Sequence, residues 1–243
     1  MKRATHVFAS PLDLGPARSQ PIRAFLRLVL VGALGVVVIA GEPSNRVEWA
    51  RLISGAQWDR HVDGDEALLK YLDQHTSLNI ARTWRAADPA KLEELCRLPF
   101  IFCTGLSGLR DDERHNLAEY LRRGGFLVID ACGNPHINPS LPSFLTQHIA
   151  LLKTLFPDLR VVTLQPNHEV FSIYFKIGER PPQARQSLAE PSYPLYAFYE
   201  GDRMLGLLSI NSLQCGWSGF SHMAKTDEFR EMIANIYVYA MTR

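Results

Sequence analysis

The sequence lacks the short motifs that mark the commonest nucleotide and metal sites. Its 243 residues contain neither a phosphate-binding Gly-x-x-x-x-Gly-Lys-Ser/Thr loop nor a dinucleotide-binding Gly-x-Gly-x-x-Gly turn. The spacing of Cys96, Cys103, Cys132 and Cys215 matches neither a zinc ribbon nor a redox Cys-x-x-Cys pair. We therefore predict a protein with no cofactor and no bound metal ion.

Two further absences argue against nucleic-acid binding and serine hydrolysis. Residues 1–40 carry five basic side chains and one acidic one, so removing them moves the formal net charge of the chain from +1 to −3. The mildly acidic remainder has no basic face, which disfavours a nucleic-acid partner. The segment Gly216-Trp217-Ser218-Gly219 also lacks the Gly-x-Ser-x-Gly pattern of the serine hydrolase elbow.

Residues 1–40 have the layout of a secretory signal. Basic residues precede an uncharged apolar run at residues 28–40, and Val38-Ile39-Ala40 resembles a cleavage site. A run of 13 residues is short for a membrane span, which needs about 20. The sequence predicts a cleaved signal peptide, or an uncleaved membrane anchor over residues 24–41, with a buried core segment as a third interpretation. In the first two cases residues 41–243 form a single exported domain, periplasmic or anchored facing the periplasm.

Residues 99–133 are the stretch around which the predicted fold is organised. An apolar run at residues 99–103 predicts a strand buried on both faces, and residues 126–129 predict a second strand that ends at Asp130. Between them, acidic residues from Asp111 and a glycine at Gly124 bound an amphipathic helix. This order of strand, helix and strand indicates a right-handed parallel crossover.

The rest of the chain predicts further elements of the same α/β type. Strands are expected at residues 47–53, 78–81, 159–164 and 170–177, with a hairpin at residues 196–199 and 204–210. Helices are expected to begin near Asp63, Asp88, Ser143 and Thr226. Residues 134–142 and 211–222 are predicted loops.

A set of short segments, spread along the chain in a characteristic order, resembles the bacterial DUF4159 family. They are Pro99-Phe100, Thr104-Gly105, residues 117–125, Asp130, residues 167–171, residues 199–203 and a terminal helix near Asn235. The resemblance covers about residues 46–243. Proteins of this family have no known function and are similar in fold to class I glutamine amidotransferases. The resemblance implies a flavodoxin-like, doubly wound and mostly parallel sheet, to which the predicted hairpin adds an antiparallel edge.

The amidotransferase likeness raises the question of cysteine catalysis. Such chemistry needs a nucleophilic cysteine on a strained turn, activated by a histidine and an acid. Cys132 is the nearest candidate, with His168 or His136 as the base. The glycine-cysteine-x-glycine elbow of true amidotransferases is absent, and Asp130 stands where that elbow would rise.

The carboxyl end of the second buried strand is the predicted site, because ligands of such sheets bind outside the carboxyl ends of the strands. Asp130 could orient His168 as a general base or bind a ligand; alternatively, Asp130 caps backbone amides and His168 holds a turn. A metal held by Asp130, His136 and His168 would need ligands from separate loops, so none is predicted.

We therefore expect a non-catalytic, amidotransferase-like binding or interaction domain in the bacterial cell envelope. Its ligand or partner is an unidentified small molecule or envelope protein, bound near Asp130, His136, His168 and Trp217. The alternative is a hydrolase that cleaves a C–N or glycosidic bond with His168 and either Asp130 or Cys132.

Overall fold

Short strands alternate with helices along the chain. The computed structural model describes residues 46–131, 141–182, 192–219 and 226–243. The strands are Ala50–Leu52 (β1), Arg85–Ala87 (β2), Phe100–Cys103 (β3), Phe126–Asp130 (β4), Arg160–Thr163 (β5), Tyr196–Glu200 (β6) and Arg203–Ser209 (β7). The helices are Asp63–His75 (α1), Leu92–Leu95 (α2), Asp111–Arg122 (α3), Leu141–Leu155 (α4), Leu213–Trp217 (α5) and Thr226–Met241 (α6), with a 3-10 turn at Glu169–Phe171.

In the described part of the chain the strands form a sheet in the order β2-β1-β3-β4-β7-β6-β5. Neighbours from β2 to β7 pair in parallel, whereas β6 pairs antiparallel with both β7 and β5. The predicted flavodoxin-like, mostly parallel sheet with an antiparallel hairpin towards one edge is confirmed. We call the end at which β1, β3 and β4 begin the amino edge, and the opposite end the carboxyl edge.

The central strands are buried on both faces because helices cover both sides of the sheet. In β3, Phe100 and Phe102 belong to one apolar cluster, whereas Ile101 and Cys103 belong to the other. Residues of α1, α5 and α6 pack in the first cluster, and residues of α2, α3 and α4 pack in the second. This arrangement explains why the sequences of β3 and β4 are continuous apolar runs rather than alternating patterns.

The predicted crossover at residues 99–133 is present up to Ala131. Helix α3 begins where the backbone N–H of Arg110 donates to Glu113 Oε2 at 2.8 Å, and its acidic first turn faces the positive end of the helix dipole. After the helix, Gly124 adopts a φ of 108°, a left-handed conformation that glycine tolerates without strain. Strands β3 and β4 then pair in parallel from Phe100 and Phe126 onwards.

Three local predictions were wrong. Residues 78–81 contribute only an isolated bridge between Val47 and Ile80, and the strand lies later, at β2. Residues 170–177 are not a strand, although Val170 and Phe171 are buried as their pattern suggested. Within residues 211–222, the predicted loop contains helix α5.

Asn235 of α6 provides the physical reason for the error at residues 170–177. Its Oδ1 accepts hydrogen bonds from the backbone N–H groups of Tyr174 and Phe175, and its Nδ2 donates to the carbonyl of Phe175. A buried amide side chain therefore satisfies backbone groups that a neighbouring strand would otherwise pair.

Within the described ranges, no helix combines the length and apolar character that crossing a membrane requires.

Candidate functional site

Asp130 ends strand β4 at the carboxyl edge, and its side chain is only 1% exposed. Its Oδ2 accepts a hydrogen bond of 3.0 Å from the backbone N–H of Gln214, in the first turn of α5. A carboxylate at this position pairs with an amide that has no partner within its own helix. The contact ties the end of β4 to α5.

Gln214 carries the connection further, to the segment between β1 and α1. Its Nε2 donates to the carbonyl of Arg60, and the same carbonyl accepts a bond of 3.2 Å from Arg51 Nη1. In this segment Gln57 and His61 have positive φ values of 71° and 60°, a conformation that costs free energy for residues other than glycine. The hydrogen bonds to Arg60 help to hold this backbone in place.

Asp65 lies at the centre of the buried polar network. Two guanidinium nitrogens of Arg51 donate to its two carboxylate oxygens, one of them at 2.7 Å. The indole N–H of Trp49 donates to Oδ2 at 3.0 Å, and that of Trp217 donates to Oδ1 at 3.2 Å. Asp65 is 0% exposed and Arg51 is 1% exposed, so these four donors replace the water that the charges lose on folding.

Trp217, one of the predicted ligand-binding residues, lies in the protein interior. Trp217 is fully buried in the first apolar cluster. Its ring packs edge-on against Phe102 and Trp49, with centroids 5.0 and 5.9 Å away. Both its apolar surface and its N–H therefore make contacts inside the protein.

His168 lies near the C-terminal end of helix α6 and caps the start of the 3-10 turn at Glu169–Phe171. Its Nδ1 accepts a bond of 3.2 Å from the backbone N–H of Val170, and its ring lies 5.4 Å from that of Tyr239. Burial and the nearby guanidinium of Arg243 lower the pKa of His168. The residue is therefore neutral near pH 7, and its Nδ1 is engaged in the turn.

Asp130 and His168 are not brought together. Helix α6 runs from the carboxyl edge, where Phe229 packs at Gly216, to the amino edge, where Tyr237 Oη donates to the carbonyl of Glu48. Tyr239, the neighbour of His168, contacts Phe126, the first residue of β4. Asp130 is the last residue of that strand, roughly 13 Å further along at the usual rise per residue.

The remaining predicted site residues, Cys132 and His136, lie outside the described residues. Cys103, at the other strand tip, is buried, and burial raises the pKa of its thiol to about 12. Among the described residues, no group of three or more His, Cys, Asp or Glu side chains has the geometry to hold a metal ion.

A buried histidine, His148 of α4, was missed by sequence reasoning. Its Nε2 accepts a bond of 3.0 Å from the backbone N–H of Leu106, and its Nδ1 donates to the carbonyl of Phe144 at 2.8 Å. Burial lowers the pKa of His148, in agreement with a neutral ring that accepts at Nε2. The side chain thereby fixes the loop after β3.

The loops after β1 and β3 also touch directly. A Cβ atom added to Gly108 would lie 2.4 Å from the carbonyl oxygen of Ser54 and 2.6 Å from Gly55 Cα. The two backbones therefore approach as closely as glycine permits. The strand order reverses between β1 and β3. Doubly wound sheets commonly bind ligands at the carboxyl ends of such strands. In this protein the loops after β1 and β3 are in backbone contact at that position.

The sequence did contain a signal for the buried network. Arg51 lies between Ala50 and Leu52 in a predicted strand, and a charge inside an apolar strand requires a buried partner. Asp65 lies next to the helix start that was predicted near Asp63. Its role as the partner of Arg51 depends on tertiary contacts between residues 14 positions apart.

The topology and helix layers define a mixed α/β domain built on a flavodoxin-like sheet. Within that class, the chain belongs to the family described as a domain of unknown function (DUF4159), which it matches over residues 47–241. The family resemblance seen in the sequence is thus confirmed. No curated protein matches the chain.

Proposed function

We propose that this protein is a non-catalytic binding or interaction module of the bacterial cell envelope. The observation that carries the proposal is the separation of Asp130 from His168. Asp130 ends β4 and contacts α5, whereas His168 lies beside Tyr239, which contacts Phe126 at the start of β4. An acid and a base must lie within hydrogen-bond reach of each other, directly or through one water, to act as a pair. The sequence of residues 1–40 supports the envelope location.

The structural duties of the candidate residues add further support. Asp130 accepts from Gln214 at the start of α5, His168 accepts within its own turn, and Trp217 donates to Asp65 in the core. The contacts of Asp130 and Trp217 each tie one segment of the fold to another, and that of His168 holds its own turn. A role in reaction chemistry would compete with these contacts.

Catalysis is tested by comparing the full chain with its His168→Ala variant on chromogenic amides, esters and glycosides. We expect no turnover above the buffer rate from either protein. Turnover by the wild-type protein that His168→Ala removes would establish the hydrolase instead. Circular dichroism of the variant shows whether a loss of turnover reflects unfolding.

Location is tested by fusing alkaline phosphatase, which is active only outside the bacterial cytoplasm, to the carboxyl terminus. The full-length fusion should be active in cells, and a matched fusion that begins at residue 41 should be inactive. Equal inactivity of both fusions at equal protein levels would refute export.

A further inference from the structure

A cavity of about 740 Å³ lies at the amino edge of the sheet, opposite the edge considered above. Its walls come from the segments just before β1, β3 and β4, with Pro99 and Gly125 immediately preceding the latter two strands, and from Arg85 at the start of β2. The volume lies within the range of small-molecule sites, about 300 to 1,000 Å³. We call this feature the amino-edge groove.

The charge of the groove is strongly unbalanced. Its lining includes four arginines, Arg46, Arg85, Arg97 and Arg123, but only one carboxylate, that of Glu48. By contrast, residues 41–243 together carry a formal net charge of −3. Glu48, Glu119 and Glu93 form ion pairs with Arg85 and Arg123. The guanidinium charges of Arg46 and Arg97 therefore remain for an anion to offset.

Two of the arginines form ion pairs, and two have no such partner among the described residues. Arg85 pairs with Glu48 at 3.0 Å, and Arg123 pairs with Glu119 at 2.9 Å and with Glu93 at 3.4 Å. Arg46 and Arg97 are exposed, and no side-chain partner is found for them in the part of the chain that the structure describes. Their planar forks of N–H donors match the oxygens of a phosphate group.

The groove is also lined by apolar residues and by a cysteine whose alkylation can be measured. Leu98, Pro99 and Tyr120 line the groove together with the arginines. Cys96 lines the same groove and is exposed. A molecule bound between the arginines would therefore cover the Cys96 thiol.

We propose that the amino-edge groove binds a phosphate-bearing anion, held by Arg46 and Arg97 and supported by Arg85 and Arg123. The anion is the phosphate of a soluble metabolite or the headgroup of an anionic phospholipid, which share this chemistry. The site stands independently of the proposed function, because none of its residues belongs to the Asp130 or His168 surroundings.

The test measures alkylation of Cys96 in the full chain by N-ethylmaleimide, followed by peptide mass spectrometry, with Cys215 as the internal reference. Inorganic pyrophosphate is the soluble probe, titrated against sodium chloride at matched ionic strength. We expect saturable slowing of Cys96 alkylation, with the rate at Cys215 unchanged. A second arm replaces pyrophosphate by vesicles of phosphatidylglycerol, with phosphatidylcholine vesicles as the control.

Matched variants connect the protection to the arginines. Arg46→Gln with Arg97→Gln should raise the apparent dissociation constant at least tenfold. The control pair, Lys70→Gln with Lys176→Gln, removes the same charge from exposed residues that do not line the groove, and should change the constant less than twofold.

The two arms identify the source of the phosphate. Protection by pyrophosphate alone indicates a soluble ligand, and protection by phosphatidylglycerol alone that the arginine pair abolishes indicates a lipid headgroup. Absence of protection in both arms would overturn the proposal. An equal rise of the apparent dissociation constant in the arginine and lysine variants would also overturn the proposal. It would show that the anion is attracted only by the net charge of the protein.

Discussion

Arg51 and Asp65 form a bidentate ion pair in the protein interior, with Nε and Nη2 of the guanidinium facing the two carboxylate oxygens. The pair joins β1 to α1, and the indole of Trp217 extends it to α5. Its guanidinium also lies over the ring of Phe102, 5.1 Å from the centroid. Three separate segments of the chain are thus oriented by one carboxylate.

Replacing Asp65 by Asn should be strongly destabilising. The substitution keeps the size of the side chain but leaves the buried Arg51 charge without a counter-ion, which costs about 3 to 5 kcal/mol. Urea unfolding followed by fluorescence measures the free energy of unfolding. In the double variant Arg51→Met with Asp65→Asn, stability should partly recover, because no unpaired charge remains buried. A double variant less stable than Asp65→Asn would contradict this account.

Stability should decrease on acidification below about pH 6.5, the ordinary pKa of histidine. Burial lowers the pKa of His148 in the folded protein, so the unfolded chain takes up the proton first and stability rises with pH in this range. Each such histidine contributes at most about 1.4 kcal/mol per pH unit. The stabilising effect is fully present above pH 6.5.

The His148→Gln variant isolates the contribution of this residue. Glutamine can still accept from the backbone of Leu106 but does not titrate. The unfolding free energies of wild type and variant, measured at pH 7.5 and 5.5, should differ more at the higher pH. A wild-type pH dependence that the variant reproduces in full would assign the effect to other groups.

Gly108→Ala should destabilise the protein by about 1 to 3 kcal/mol, the usual cost of overpacking. Its methyl group would collide with the backbone at Ser54 and Gly55. Gly178→Ala is the matched control, because a Cβ there meets no atom within 4 Å, and its effect should stay within about 0.5 kcal/mol. Thermal unfolding of both variants checks the prediction; equal midpoints would show that the loops separate without cost.

Cys103 should resist alkylation in the native protein. Its thiol is buried, and burial raises its pKa to about 12, so the reactive thiolate is scarce at neutral pH. Iodoacetamide at pH 7.5 should modify the exposed Cys96 first, and Cys103 only after urea is added. Peptide mass spectrometry distinguishes the two positions, and native modification of Cys103 at the rate of Cys96 would disprove its burial.

The sequence predicted the parts of the fold in which local pattern and tertiary environment agree. Strand β4 and helix α3 were identified at nearly their observed bounds, because an apolar run and an amphipathic period each match their surroundings. The prediction of a strand at residues 170–177 failed because the buried amide of Asn235, 60 positions from Phe175, takes the place of a neighbouring strand.

The sites were harder to predict than the strands. Asp130 was correctly placed at the end of β4, but its contact with Gln214 joins residues 84 positions apart. The arginines of the amino-edge groove come from four separate segments and form no motif. Local spacing carries no information on such groupings, which arise only when the sheet assembles.

In the part of the chain that the structure describes, both outer strands of the sheet are short and begin with an arginine. β2 has three residues and starts at Arg85, and β5 has four and starts at Arg160. Short outer strands carrying a charge are poor templates for pairing with another chain, since an incoming strand gains few backbone hydrogen bonds and must desolvate a guanidinium. The same arginine that lines the amino-edge groove, Arg85, therefore also protects this sheet against edge-to-edge aggregation.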